Sequence, residues 1–360
     1  MSYLLSPPDV GRKFSVWFTQ GFSSQYDLLA AVKKSSLQPY LTTIASHRQC
    51  RDEILSMADL ALIEPAVGYP HFVLMEAVKN KAQLVITSHG HDKYEELRPL
   101  FEQQGIMLLT GTRGQKNHHN LDNKFEFTQL CKIAGIPVVD AIQVESTSQL
   151  IEAIQAIKAR QLSVCVKPVT GVFAQGFWQL GDDFDYFHAL FNPTSYQANS
   201  QQFIEAYDQQ TLKRPYLVMP FLSGDECSVD MFCVTGEVKV AVTRIKKQHW
   251  QEVLPIGPCD AIARQLAHLF MLDGIVNAQF RQDNTGQWYV LEINARPSGG
   301  IGMTLHSQIN LVAECIAYHA QLPLVRTSPR PALVRQLSQS VEVQPMQHYT
   351  QHYSVERTYA

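Results

Sequence analysis

The chain has no pair of cysteines two residues apart, no GxGxxG dinucleotide fingerprint, no apolar run of membrane-spanning length, no internal repeat and no low-complexity tract. Each absence narrows the function. The seven cysteines, at positions 50, 131, 165, 227, 233, 259 and 315, lack the spacing of metal ligands, and Cys165 and Cys233 sit inside apolar strand-like runs. Free thiols in a reducing compartment are expected. A bilayer span takes about 18 or more apolar residues in succession. The start, MSYLLSPPDVGRK, has no basic end leading into an apolar stretch. A cytoplasmic protein without a membrane partner follows. The formal charge is -3 and the pI about 6.5, so no basic field is available to hold nucleic acid. Small molecules are the expected partners.

What is present is 360 residues of 45% hydrophobic composition, enough for a large core spread over two or three domains. Residues 14–109 alternate short apolar runs with amphipathic stretches, which predicts a parallel sheet flanked by helices. The strands end at Gln20 with Gly21, Ser46 with His47, Glu64 with Pro65, and Ser88 with His89 and Gly90. Ligands on such sheets meet the carboxyl ends of strands, so these turns are candidates for touching substrate, with plain connecting loops as the favoured alternative. GTRGQKNHHN, at 111–120, reads as a polar boundary with His118 and His119 in a solvated turn. A helix over 122–134, a helix over 147–159, a strand over 163–166 and a loop over 167–176 follow, then a linker near 192–199. Strands are expected over 216–221, 228–234 and 238–245, and a helix over 309–320. Beyond Thr327 no period is visible.

The most informative segment is YVLEINARPSGG, at 289–300. Alternate side chains of a strand share a face, so Glu292 and Asn294 point one way while Leu291 and Ile293 point into a core. Two oxygen donors on one face suit magnesium, a hard cation that keeps part of its coordination for substrate phosphates. Arg296 follows and can fork onto a phosphoryl oxygen. Upstream, IVNAQFR and a turn at 283–286 predict a hairpin that sets Gln279 near Glu292 as a third donor. Lys167, in VCVKPVTG, ends a buried run beside a loop carrying Gly171 and Gly176, where an ammonium can meet a polyphosphate under loop amides. Lys124 stands earlier, in LDNKFEF. In YLVMPFLSGDECSVD, a bend at Met219, Pro220, Phe221 and Leu222 can read an adenine edge, and Glu226 can bond ribose hydroxyls. Arg244 and Lys246, in VTRIKKQHW, alternate on one strand face. Arg244 is a candidate for the γ-phosphate or a substrate carboxylate, weighed evenly against a solvated hairpin.

The order of these elements over 121–309 resembles the ATP-grasp superfamily. That resemblance implies an ATP-grasp fold, two α+β lobes clasping ATP, preceded by a Rossmann-like α/β domain. The expected divisions are 1–112 for the pre-ATP-grasp domain, 113–215 for the small lobe with its phosphate loop, 216–330 for the large lobe with the metal site, and 331–360 for a C-terminal extension. It further implies that Lys124 and Lys167 grip the α- and β-phosphates. The bend holds adenine, Glu226 the ribose, and Gln279, Glu292 and Asn294 a pair of magnesium ions, or manganese in their place. Gln279 within NAQF is most similar to carbamoyl-phosphate synthetase halves. Two features depart from the family pattern: the phosphate loop TGVFAQGFW is poor in glycine, and Pro220 removes an amide from the hinge.

The resemblance implies an ADP-forming ligase that activates a carboxylate as an acyl phosphate and joins it to an amine, with Arg296 and Arg244 serving the chemistry. Kinase-like or carboxylase-like phosphotransfer and a non-catalytic nucleotide-binding module are the alternatives. Dimers are common among proteins of this type, so the resemblance allows a homodimer and leaves the oligomeric state open.

Overall fold

The computed structural model describes residues 13–21, 24–171, 174–191, 196–337, 340 and 342. The amino-terminal start, Val172 and Phe173 of the phosphate loop, residues 192–195 of the expected linker, and most of the expected extension lie outside the described residues.

The α/β alternation near the start folds as its periodicity predicts. Strand β1 (Phe14–Phe18), helix α1 (Gln25–Lys33), β2 (Leu41–His47), α2 (Asp52–Leu55), β3 (Leu60–Ile63), α3 (Tyr69–Lys79), β4 (Leu84–Ile86), α4 (His91–Gln103) and β5 (Met107–Leu109) succeed one another. The strands pair in parallel in the order β3-β2-β1-β4-β5. Buried on both faces, they carry nearly unbroken apolar runs such as SVWF and LVI.

Next come β6 (Gly111–Thr112), α5 (Gln115–Asp122), α6 (Lys124–Ile133), β7 (Ile142–Val144), α7 (Thr147–Lys158), β8 (Val164–Pro168), β9 (Trp178–Gly181), α8 (Tyr186–Phe191), β10 (Gln197–Asn199), α9 (Ser200–Asp208) and β11 (Tyr216–Pro220). A second sheet runs β10-β9-β8-β11-β7. The chain then forms β12 (Glu226–Val234), β13 (Glu237–Lys246), β14 (Gln251–Leu254), α10 (Asp260–Leu269), β15 (Leu272–Gln282), β16 (Trp288–Asn294), α11 (Ile301–Thr304), α12 (Leu311–Ala320) and β17 (Ala332–Val334). A third sheet has the order β16-β15-β12-β13-β14-β17, with β6 added to β15.

The chain gathers into two compact units. Among the described residues, the first comprises those up to 118, 227–278 and those from 293 onward, and the second comprises those of 119–226 and 279–292. Within the first, one apolar core joins Val16, Phe18 and Leu28 of the parallel sheet and α1 to Phe232, Val242, Ile275 and Leu311 of later segments. In the second, α7 and α9 cover the sheet through Leu150, Ile154, Val166, Tyr207 and Val218.

Several local expectations need correction. The stretch at 111–120 is not a solvated turn: α5 occupies most of it, and His118 is buried, its Nε2 lying 3.3 Å from Thr110 Oγ1 and 3.2 Å from the Thr112 carbonyl. Polar composition hid a histidine whose polar partners are inside the unit. The helix expected over 122–134 is α6, which starts at Lys124 because Asn123 caps it by accepting from the Phe125 and Glu126 amides at 3.0 and 3.1 Å; Asp122 ends α5. Lys167 lies within β8 rather than at the head of a loop. The tail beyond Thr327 adds β17, antiparallel to β14, where three residues are too few to show a period.

Candidate active site

In the second unit, Lys167 stands opposite Leu217 in the antiparallel pairing of β8 with β11. Burial holds its ammonium below the usual lysine range; the carboxylate of Glu292 opposes that shift, and the charge of Lys124 adds to it. A half-buried cation with one carboxylate and one further cation in its electrostatic surroundings is short of negative charge. Lys124 opens α6, its amide donating to the Val169 carbonyl at 3.0 Å and its Nζ to the Gly171 carbonyl at 2.7 Å. Lys124 is thereby tethered to the start of the phosphate loop. At the other end of that loop Gly176 has φ +75, and a Cβ there would come within 2.7 Å of the Pro168 ring. Gly171 has φ +138 with open space where a side chain would start. Both backbones take conformations that favour glycine.

The bend after β11 is apolar on one side. Met219 and Leu222 are buried with Cys165, Val169 and Leu217, and Phe221, Phe177 and Leu291 pack against them. Pro220 carries no amide, and the Phe221 amide donates to the Ser163 carbonyl at 2.8 Å. Those two positions leave no free donor for a base.

Glu226, expected to face a sugar, accepts from Arg281 Nη1 at 3.1 Å. Sequence reasoning passed over Arg281. Its Nε donates to the Gly224 carbonyl at 3.3 Å and its guanidinium lies 5.2 Å over the Phe221 ring, so one side chain ties the bend to Glu226. A charged residue alternating with the apolar ones in NAQFR was the available signal.

Gln279 of β15 and Glu292 of β16 both belong to the second unit, on strands that neighbour each other in the third sheet. The turn joining them is closed by the Asp283 amide donating to the Gln287 carbonyl at 3.0 Å. Glu292 and Asn294 are half-buried on either side of buried Ile293. Among the described residues no three His, Cys, Asp or Glu side chains cluster at metal-holding distance. The donors proposed for magnesium, one carboxylate and two amide oxygens, are all hard and carry little charge. They fit an ion that arrives with phosphate oxygens and fit poorly an ion held by protein alone.

Asn294 and Arg296 belong to the first unit. Arg296 is half-buried, and its Nη1 donates to the Pro297 carbonyl at 3.2 Å. Gly111 supports this turn: with φ +91, a Cβ there would lie 2.1 Å from the Ala295 carbonyl oxygen. Only bare backbone can approach so closely.

Arg244 proves to be 7% exposed rather than solvated. Its Nε donates to Asp230 at 2.7 Å, Nη1 to Gln251 at 2.8 Å and Nη2 to Ser298 at 3.0 Å. Asn277 completes the set by donating to the other Asp230 oxygen at 3.0 Å. A Cβ on Gly300 would stand 2.3 Å from Arg244 Nη1, so the guanidinium lies directly under that backbone. Asp230, with no exposed surface, was not foreseen, since an aspartate in a strand reads as a turn or an edge.

The geometry can be set beside known proteins. Residues 213–348 match the family described as ATP-grasp in the biosynthetic pathway with Ter operon. No curated protein matches the chain. Among solved structures, an ADP complex of purK, N5-carboxyaminoimidazole ribonucleotide synthetase, is 16% identical, with a TM-score of 0.62 over 89% of this chain and 81% of that one. N5-carboxyaminoimidazole synthetase from Staphylococcus aureus, complexed with ADP, is 13% identical, with a TM-score of 0.64 over 89% and 82%. The biotin carboxylase domain of Hydrogenobacter thermophilus 2-oxoglutarate carboxylase, a dimer holding MgADP, ADP and bicarbonate, is 15% identical, with a TM-score of 0.64 over 88% and 71%. Residues 213–348 thus match an ATP-grasp family model, and the chain shares its fold with these solved structures.

Proposed function

We propose that the chain is an ATP-dependent, ADP-forming ligase that activates a carboxylate as an acyl phosphate and joins it to an amine. The observation that carries this is Lys167, half-buried on β8 with Glu292 and Lys124 in its electrostatic surroundings, beside a Lys124 Nζ that donates to the Gly171 carbonyl of the adjoining loop at 2.7 Å. A nucleotide polyphosphate supplies the negative charge that this cation lacks. Solved structures of the same fold hold ADP or MgADP, which supports both ligands.

The reaction asks for charge neutralisation and positioning. A carboxylate attacking the γ-phosphorus is an anion approaching an anion, and Lys167 and Arg296 lower that repulsion through charge-assisted hydrogen bonds. Magnesium bound by Gln279, Glu292 and Asn294 together with phosphate oxygens would supply further neutralisation. Arg244, fixed by Asp230, Gln251 and Ser298, sits under the Ser298–Gly300 turn and holds the backbone amides that face the acyl group. Its role is positioning. Arg281, through Glu226, Gly224 and Phe221, shapes the nucleoside end.

A second reading follows from the bicarbonate in the biotin carboxylase domain: the activated acid is bicarbonate and the product a carbamate. One experiment tests both. With Mg-ATP and pools of acids and amines, ADP and orthophosphate should appear only when acid and amine are both present. Bicarbonate replacing the organic acid would select the second reading. Phosphate retained on a product would remove both.

A further inference from the structure

A cavity of about 360 Å³ lies inside the first unit, along edge strand β5 of the parallel sheet. Its other walls are the last turns of α4 and α12, the Val234–Thr235 turn after β12, and Asp273 of β15. Ile106, Met107, Leu109 and Val234 give it an apolar lining, to which Glu102, Arg113, Asp273 and His319 add polar groups. None of these residues belongs to the nucleotide or metal sets described above.

The polar groups leave bonding capacity unused. Arg113 donates its Nε to Asp273 at 3.0 Å, and the other Asp273 oxygen accepts from the Thr235 amide at 3.2 Å. That fixes the guanidinium and satisfies the buried carboxylate. The terminal nitrogens of Arg113 have no hydrogen bond among the described residues, since Nη2 stands 3.8 Å from Glu102. Glu102 likewise lies 4.0 Å from Arg98 Nη1, and Arg98 spends its guanidinium on Glu95, the Leu108 carbonyl and Thr110. Glu102 and Arg113 are each about half exposed, and ion pairs of that kind contribute little, so a ligand separates them at small cost. His319 Nε2 is buried without a partner among the described residues. Burial holds that imidazole below the usual histidine range against the raising pull of Asp273, so it is neutral at physiological pH. A buried ring nitrogen without a partner asks for one.

A carboxylate and a guanidinium edge 3.8 Å apart are the complement of the ammonium and carboxylate that an α-amino acid carries on one carbon. We propose that this cavity binds a free α-amino acid: Glu102 takes its ammonium, the terminal nitrogens of Arg113 take its carboxylate, and its side chain lies against Ile106, Met107 and Val234. His319 Nε2 meets a polar atom of the side chain beyond that apolar stretch. The assignment goes beyond the ligase reading and does not depend on it.

The full chain is titrated calorimetrically, without nucleotide, with each proteinogenic amino acid in turn. At least one should bind, and its carboxamide and its deaminated acid, which each lack one of the two charges, should bind roughly tenfold or more weakly. Glu102→Gln should weaken binding of the same amino acid by a similar factor, and Arg113→Lys, which keeps a cation beside Asp273, should weaken it severalfold. Glu102 is exposed, so its variant keeps the fold, which circular dichroism checks. Should the variants unfold, the carboxamide and the deaminated acid decide the matter on wild type. No amino acid binding, or equal binding of either analogue, overturns the proposal. Equal binding in wild type and folded Glu102→Gln overturns it too, by placing the amino acid elsewhere in the chain.

Discussion

Lys167 is a cation in a place that opposes its charge. Burial lowers its affinity for a proton in the folded state, from the ordinary value of 10.5. A base lowered on folding sheds its proton more readily when folded, so apo stability rises with pH between the lowered value and 10.5. Lys167→Met should therefore raise the apo melting temperature at neutral pH, with the gain shrinking in the alkaline window, and should abolish nucleotide binding. A variant that melts lower and still binds ATP would contradict this. Arg244 behaves oppositely. Its removal leaves Asp230 charged and buried, at a cost of about 3–5 kcal/mol. Arg244→Ala should lose stability of that order in denaturant titration, and Arg244→Ala with Asp230→Ala should recover part of it. Additive losses would mean that the two residues do not act as a pair.

At the scale of elements, the turn between β16 and α11 depends on contacts distant in sequence. Gly111→Ala meets the Ala295 carbonyl and a left-handed backbone at once, and should cost at least about 2 kcal/mol by the same titration. A neutral result would show that the strand exit is not held from this side. Strand β16 was legible because alternation alone puts Glu292 and Asn294 on one face, and the opening α/β array because each strand and helix has its own period. Arg281 and Asp230 were not legible. Each acts through partners far along the chain, Glu226 for one and Arg244 and Asn277 for the other, and a single sequence carries no sign of such pairing. His118 was misread for a different reason: its polar partners, the Thr110 hydroxyl and the Thr112 carbonyl, are near in sequence, and a polar stretch does not show which of its side chains turn inward.

Across the molecule, chain order and compact units diverge. Residues before 119 share a core with segments beyond 226, while 279–292 gathers with 119–226. Helix and strand periods say where elements lie, and only long-range burial decides which of them share a core. The cysteines offer a measurement on this scale. All seven are free, Cys50 is the only exposed one, and burial pushes the Cys131 and Cys165 thiols up to about 12. Ellman titration at mildly alkaline pH should count a single fast thiol in the native protein and seven after unfolding. Several fast thiols in the native protein would show that the buried segments open readily.

The central claim is that Gln279, Glu292 and Asn294 gather divalent ions only together with a nucleotide polyphosphate. Manganese titration followed by electron paramagnetic resonance, with and without a non-hydrolysable ATP analogue, tests it most directly. Wild type should bind manganese tightly only when the analogue is present, and Glu292→Gln should lose that binding while keeping its native circular dichroism. Equal manganese binding in wild type and Glu292→Gln, or tight binding without nucleotide, would contradict the account.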